Sequence, residues 1–222
     1  ITIAAGSFWP EISGPSSYIK AILPELLDSG FKIDLVTRSK KRNYPEDKDL
    51  KYRIYRIKDL PLKPLNYLRY FLKLIKVAKP SDIIYAQGPV SSGYPSYLAN
   101  KFLKKKLVVK ITGDYAWESY SLKNDVIDVL KFQNKKISGK FSRLKKIQIK
   151  VCQSSDKVIV PSKFLAKVVE QWGVKDKNIN VIYNGTDFKP LAMEKEMARR
   201  EIGISGNIIL SAGRLVPWKG FK

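Results

Sequence analysis

Short apolar runs alternate with amphipathic helical stretches along most of this chain, and that alternation limits the fold more than any other feature of the sequence. The opening run ITIAA leads into a Gly/Pro/Ser segment, GSFWPEISGPSSY. In SSYIKAILPELLDSG, Ile19, Ile22, Leu23, Leu26 and Leu27 then recur at helical spacing until Gly30. FKIDLVT follows as a second strand, so the first 37 residues read as a βαβ unit. The pattern continues through KYRIYRI, PLNYLRYFLKLIKVAK, DIIYA, YPSYLANKFLKK and KLVVKIT. After a connecting segment, GDYAWESYS, come one long helical stretch from about Asp125 to Cys152, then KVIV, SKFLAKVVEQWG and NINVIY. Seven strands separated by helices predict an α/β fold: a doubly wound, mainly parallel Rossmann-like sheet with helices on both faces.

The character of the chain changes at NGTDFKPL, where Asn-Gly signals a turn and Pro190 precedes a short charged helix, AMEKEMARREIG. NIILSAG then reads as a fresh buried strand. The reading is a Rossmann-like domain over 1–184, a connector over 185–206, and the first strand and loop of a second domain over 207–222. Ile1 stands where an initiator Met would be, so a few residues are expected upstream. The opening residues lack the basic start and long apolar core of a secretory signal, which predicts a chain that is not exported.

Composition narrows the chemistry. The 222 residues include no His, so His-based acid–base catalysis is excluded within the chain, and a zinc site is not expected. The single cysteine, Cys152, lies in an amphipathic stretch and reads as a core residue in a reducing compartment. Lys or Arg interrupts every apolar stretch, so no run approaches the roughly 18 apolar residues of a membrane span. Lys and Arg number 42 against 20 Asp and Glu, which favours polyanionic partners without choosing among nucleic acid, anionic lipid and phosphorylated substrates.

Two segments carry chemistry. The loop containing Ser13 and Gly14 opens a helix at the end of the first strand, where free backbone N–H groups and a positive dipole end face an anion; the alternative is a plain turn. It is not the dinucleotide fingerprint G-x-G-x-x-G, and Thr37 and Arg38 stand where that fingerprint needs an acidic residue. Near the end, IILSAGRLVPWKG places a glycine after an apolar run and then two cations, Arg214 and Lys219, suited to neutralising phosphate.

In order, FWPEISGPSSYIKAILPELLDSGFKIDLVT, SDKVIVPSKFLAKVVEQWGV, INVIYNGTDF and IILSAGRLVPWKG resemble the family-four glycosyltransferases of the GT-B fold. The resemblance covers nearly the whole chain. In that family two Rossmann-like domains face each other across a cleft, the first binding acceptor and the second nucleotide-sugar. It implies that Ser13 and Gly14 lie near the donor phosphates, with Ser13 where the family commonly has a glycine, and that Arg214 and Lys219 grip the donor diphosphate. After KLVVKIT many members carry a His; this chain has Gly113-Asp114, which makes Asp114 the candidate catalytic cleft residue and a helix or turn cap its alternative. Trp117 and Glu118 on the same segment are candidates for acceptor or sugar binding, against ordinary packing or solvated surface.

The family's second domain usually carries two glutamates separated by seven residues, and no Glu pair here has that spacing. The resemblance therefore implies an acceptor domain and the start of a donor domain, and predicts that this chain alone is inactive. The function expected is retaining transfer of a hexose from a nucleotide-sugar to a glycan or lipid-linked acceptor, with no metal or other cofactor. The alternative is a non-catalytic basic module for nucleic acid or another polyanion, although no nucleic-acid signature is visible. Family members often work at the cytoplasmic face of a membrane. Lys135, Lys136, Lys145 and Lys146, in a basic stretch that keeps apolar residues at helical spacing, are the candidate cations facing anionic lipid, and a merely solvated face is their alternative.

Overall fold

The computed structural model describes residues 1–185 and 193–221. The chain divides into two compact units, Ile1–Tyr183 and Asn184–Lys222. Residues 186–192 of the expected connector, Pro190 among them, and Lys222 lie outside the described residues.

The first unit is a seven-stranded sheet formed by β1 (Thr2–Ala5), β2 (Asp34–Ser39), β3 (Arg53–Lys58), β4 (Ile83–Gln87), β5 (Lys106–Lys110), β6 (Lys157–Val160) and β7 (Ile179–Val181). All neighbours pair in parallel, in the order β3-β2-β1-β4-β5-β6-β7. The helices are α1 (Gly14–Asp28), α2 (Lys63–Ala78), α3 (Gly93–Leu103), α4 (Tyr115–Ser121), α5 (Val129–Asn134), α6 (Gly139–Gln153) and α7 (Lys163–Gln171). This is the Rossmann-like α/β fold that the alternation predicts.

Because strand side chains alternate, each strand feeds two cores. Ile3, Ala5, Leu35 and Tyr85 pack with Ile19 and Leu23 of α1 on one face. Ala4, Val36, Ile84, Ala86, Val109 and Val158 pack on the other with buried residues of α2, α3, α6 and α7. Cys152 is fully buried there, and desolvation, with the nearby Asp114 charge second, pushes its thiol pKa up, so it is a packing residue. Tyr70 of α2 reaches through that core to donate its hydroxyl to the carbonyl oxygens of Ala5 (3.1 Å) and Val36 (3.2 Å), tying the end of β1 and the middle of β2 to the helix.

Three sequence expectations need correction. The long helix over 125–152 is two helices, α5 and α6, parted at Lys135–Ser138. Asn134, Ser138 and Gly139 punctuate the sequence there, and Gly139 takes a φ of +61°, which favours glycine. The segment after β5 is not a loop throughout but holds α4. In the second unit, α8 (Lys195–Ile202) forms as expected and ends at Gly203 with φ +68°, but residues 207–213 are not a strand. A strand exists only through its ladder, and among the described residues none pairs with this segment; Ile209 is 100% and Leu210 86% exposed.

Candidate active site

In an open parallel sheet, ligands bind beyond the carboxyl ends of the strands, at the point where strand order reverses. Here that point lies between β1 and β4, because β2 extends the sheet on one side of β1 and β4 on the other. The loop after β1 forms its rim and is firmly held. Arg56 of β3 donates two bonds to Asp47 (both 2.7 Å) and one to the Trp9 carbonyl (2.5 Å), while Glu11 Oε1 accepts from Lys40 N–H (2.6 Å) and Tyr44 hydroxyl (2.9 Å). Lys20 sits over the Trp9 ring at 3.7 Å.

Held in this way, the loop delivers Ser13 and Gly14 to the start of α1. Ser13 is the N-cap: its hydroxyl accepts from Ser16 N–H at 3.2 Å and bonds the Ser7 hydroxyl at 3.0 Å. Gly14 is exposed, and a Cβ there meets nothing within 4 Å, so no packing among the described residues requires a glycine.

Two residues of the same crevice went unnoticed in the sequence. Gln87 ends β4 and Lys110 ends β5; they are register partners and therefore project from the same face. Lys110 is fully buried, with its ammonium 3.7 Å from the centre of the Tyr18 ring on α1. Tyr85 donates its hydroxyl to Gln87 Oε1 at 3.2 Å, and among the described residues Gln87 Nε2 is buried with no hydrogen-bond partner. Burial, with Tyr18 second, pushes the Tyr85 phenol pKa up, so it stays a neutral donor. The signal was a lysine closing the apolar run KLVV, which reads as the strand's solvent end.

Asp114 is corrected from cleft residue to brace. It is 2% exposed and caps α4, Oδ1 accepting from Trp117 N–H (2.9 Å) and Gln148 Nε2 (2.7 Å), and Oδ2 from Gln133 Nε2 (2.8 Å). Both glutamines are fixed in orientation, because Gln148 Oε1 accepts from Ala116 N–H (3.1 Å) and Gln133 Oε1 from Trp172 Nε1 (2.9 Å). The carboxylate thus ties α4, α5 and α6 together and faces inward. Trp117 is half-buried and donates its Nε1 to the Ile127 carbonyl at 2.8 Å, which holds the chain after α4. Glu118, also half-buried, lies where a side chain at 113 would be, so Gly113 makes room for it. Asp114, Trp117 and Glu118 therefore do come together on one short helix, with Asp114 in a supporting part.

Lys145 is corrected as well. Its ammonium donates to the carbonyls of Phe132 (3.1 Å) and Gln133 (2.6 Å), closing the end of α5, and partial burial pulls its pKa down against the opposing pull of Asp114. Lys135, Lys136 and Lys146 are exposed. In the second unit Arg214 and Lys219 are exposed too, Lys219 closing a 3₁₀ turn, Pro217–Lys219, that follows the glycine at 213.

The model of the family described as Glycosyltransferase Family 4 matches residues 12–189, from the rim of the crevice past the last strand. The chain belongs to Glycosyltransferase Family 4. No curated protein sequence matches it. Among solved structures, this family-4 chain is similar to Anabaena HepE in complex with UDP and glucose, at 17% identity and a TM-score of 0.67, covering 99% of this chain and 55% of that one. It is similar to the lipopolysaccharide outer core galactosyltransferase WaaB at 16% identity and a TM-score of 0.54, covering 85% and 47%. UDP-GlcNAc 2-epimerase from Methanocaldococcus jannaschii shares the fold at 11% identity and a TM-score of 0.54, covering 82% and 45%. The fold is thus common to different chemistries, and it is the family match, not the fold, that places this chain. The chain spans about half the length of these proteins. Among the described residues no helix is long and apolar enough to cross a membrane.

Proposed function

We propose that this chain forms the acceptor-binding part of a retaining hexosyltransferase, acting in the cytoplasm on a glycan or lipid-linked acceptor with a nucleotide-sugar donor. The observation that carries the reading is the family match over 12–189 on a sheet whose switch point opens beside the start of α1. Ser13 and Gly14 place that helix start by the donor phosphates, where backbone N–H groups and the helix dipole favour negative charge. Arg214 and Lys219 meet the departing nucleoside diphosphate, whose negative charge grows as the sugar bond breaks, and so take the charge-neutralising part without a divalent ion. The buried Lys110 and Gln87 form the floor of the acceptor side, and Trp117 and Glu118 stand on α4 beyond the carboxyl end of β5. That UDP occupies HepE supports a nucleotide-sugar as donor.

The test is transfer of radiolabelled sugar from a panel of nucleotide-sugars, by this 222-residue chain and by the full-length protein in parallel. Transfer by the full-length protein and none by the chain alone is expected; equal turnover by the two would defeat the division of labour. Gly14→Ala in the full-length protein is expected to shift stability by no more than about 1 kcal/mol, since it stands in a helix with open space around it. It should nevertheless raise KM for the donor about tenfold by blocking close backbone approach. Thermal melts and steady-state kinetics on the same preparation separate the two effects.

A further inference from the structure

We infer that the outward face of α2, with the end of α3 beside it, docks on an anionic lipid bilayer. Helical geometry gathers Asn66, Tyr70, Leu74 and Val77 on the inner side of α2, and all are buried. The opposite side carries Leu65, Leu68 and Leu72, which are 38%, 51% and 56% exposed. The same stripe runs on into Lys76 and Lys79, both exposed. A surface helix normally shows polar residues at those positions, so a row of exposed leucines needs a cover. Phe71 meets Phe102 of α3 edge to face, ring centres 6.5 Å apart, and Phe102 is itself 73% exposed between two exposed lysines of the same turn, Lys101 and Lys104. Neither α2 nor α3 contains an Asp or Glu. A groove of about 430 Å³ along β3, lined in part by Arg69, Leu72, Lys73 and Lys76, offers cations at headgroup size beside the leucines.

Charge and apolar surface together select the occupant. A second copy carries the same excess of 42 basic over 20 acidic residues and is repelled. RNA would use the cations and leave the leucines in water. A bilayer uses both: leucine side chains enter the acyl boundary about 5–10 Å deep while lysines extend to the phosphates. On α6 the exposed positions Lys140, Arg143, Lys146 and Lys150 have no large exposed apolar residue among them, so that helix attracts a membrane without entering it. The docking surface is therefore α2 and α3. Leu62, 66% exposed just before α2, starts the surface beyond the carboxyl end of β3, at the same end of the sheet as the Gly14 loop though on the opposite face from α1. This placement rests on the proposed lipid-linked acceptor, which docking would bring to the crevice rim.

The experiment is sedimentation of the chain with vesicles of phosphatidylcholine, alone or with about a third phosphatidylglycerol, at about 0.15 M salt. Binding to the anionic vesicles and not to the neutral ones is expected. Leu68→Ser with Leu72→Ser should lower partitioning at least about tenfold. Lys73→Gln, Lys76→Gln and Lys79→Gln together should lower it about 100-fold, roughly a factor of five for each cation near the surface. Lys140→Gln with Arg143→Gln and Lys146→Gln on α6 should change it less than about twofold if that face stays outside the Debye length. The inference is overturned if the leucine variant, folded by circular dichroism, sediments like its parent, if the α6 variant loses binding instead, or if single-stranded RNA binds parent and leucine variant equally and displaces the vesicles. Sugar transfer by the full-length protein, measured in detergent without vesicles, is a separate readout. Activity without vesicle binding removes the docking surface and leaves the proposed transferase standing; binding without activity does the reverse.

Discussion

Arg214→Ala or Lys219→Ala in the full-length protein should lower kcat about 10²–10³-fold, the range seen when one fixed donor is removed from a charge developing in a transition state. Both residues are exposed and follow the same glycine, five positions apart (219 − 214), in a segment with no acidic residue nearby in sequence. Since a leaving diphosphate gains charge along the reaction, its cations act more strongly on kcat than on ground-state binding. Steady-state kinetics with a fixed acceptor and varied donor give the split. A rise in KM with kcat unchanged would return the pair to ordinary substrate binding, and unchanged kinetics in both variants would make them solvated surface cations.

Asp114→Ala should destabilise the first unit by about 3 kcal/mol, because it leaves three buried or half-buried donors, Trp117 N–H and the amides of Gln133 and Gln148, without their acceptor. Asp114→Asn should recover only part of this. One end of an Asn amide must face a donor, and neither glutamine can turn to relieve the clash, since Trp172 and Ala116 each hold its oxygen. Urea denaturation of both variants checks the order. A full-length Asp114→Asn protein with native stability and no transfer would put this residue back among those that touch substrate.

Much of the fold was legible because its local signals agree with one another. Each of the seven strands carries one or more of Val, Ile and Leu in a short segment, and α1 opens on a Ser that caps and ends near a Gly with φ +82°. The failures have physical causes. Phe141, Leu144, Ile147 and Val151 keep helical spacing, but all four follow the break at Lys135–Ser138, so the turn before them shows only in the backbone. Lys145 looked like any exposed cation because its partners are carbonyls, which leave no mark in a sequence. NIILSAG was read from composition alone, whereas a strand needs a neighbour to pair with. Within the site, the Ser13–Gly14 loop was visible as turn chemistry before a helix, while Gln87 and Lys110 meet only through the β4–β5 register.

The strand order also bears on how the chain is made. Once β1, β2 and β3 are paired, every later strand joins on the opposite edge of β1, and β4, β5, β6 and β7 lie there in the order of their synthesis. A ribosome releasing this chain therefore exposes one growing edge at a time, and each emerging strand finds its acceptor ladder already in place. Parallel sheets are slow to close when distant segments must search for each other. In this arrangement each step after β4 pairs consecutive strands, so assembly proceeds in one direction with little need for rearrangement.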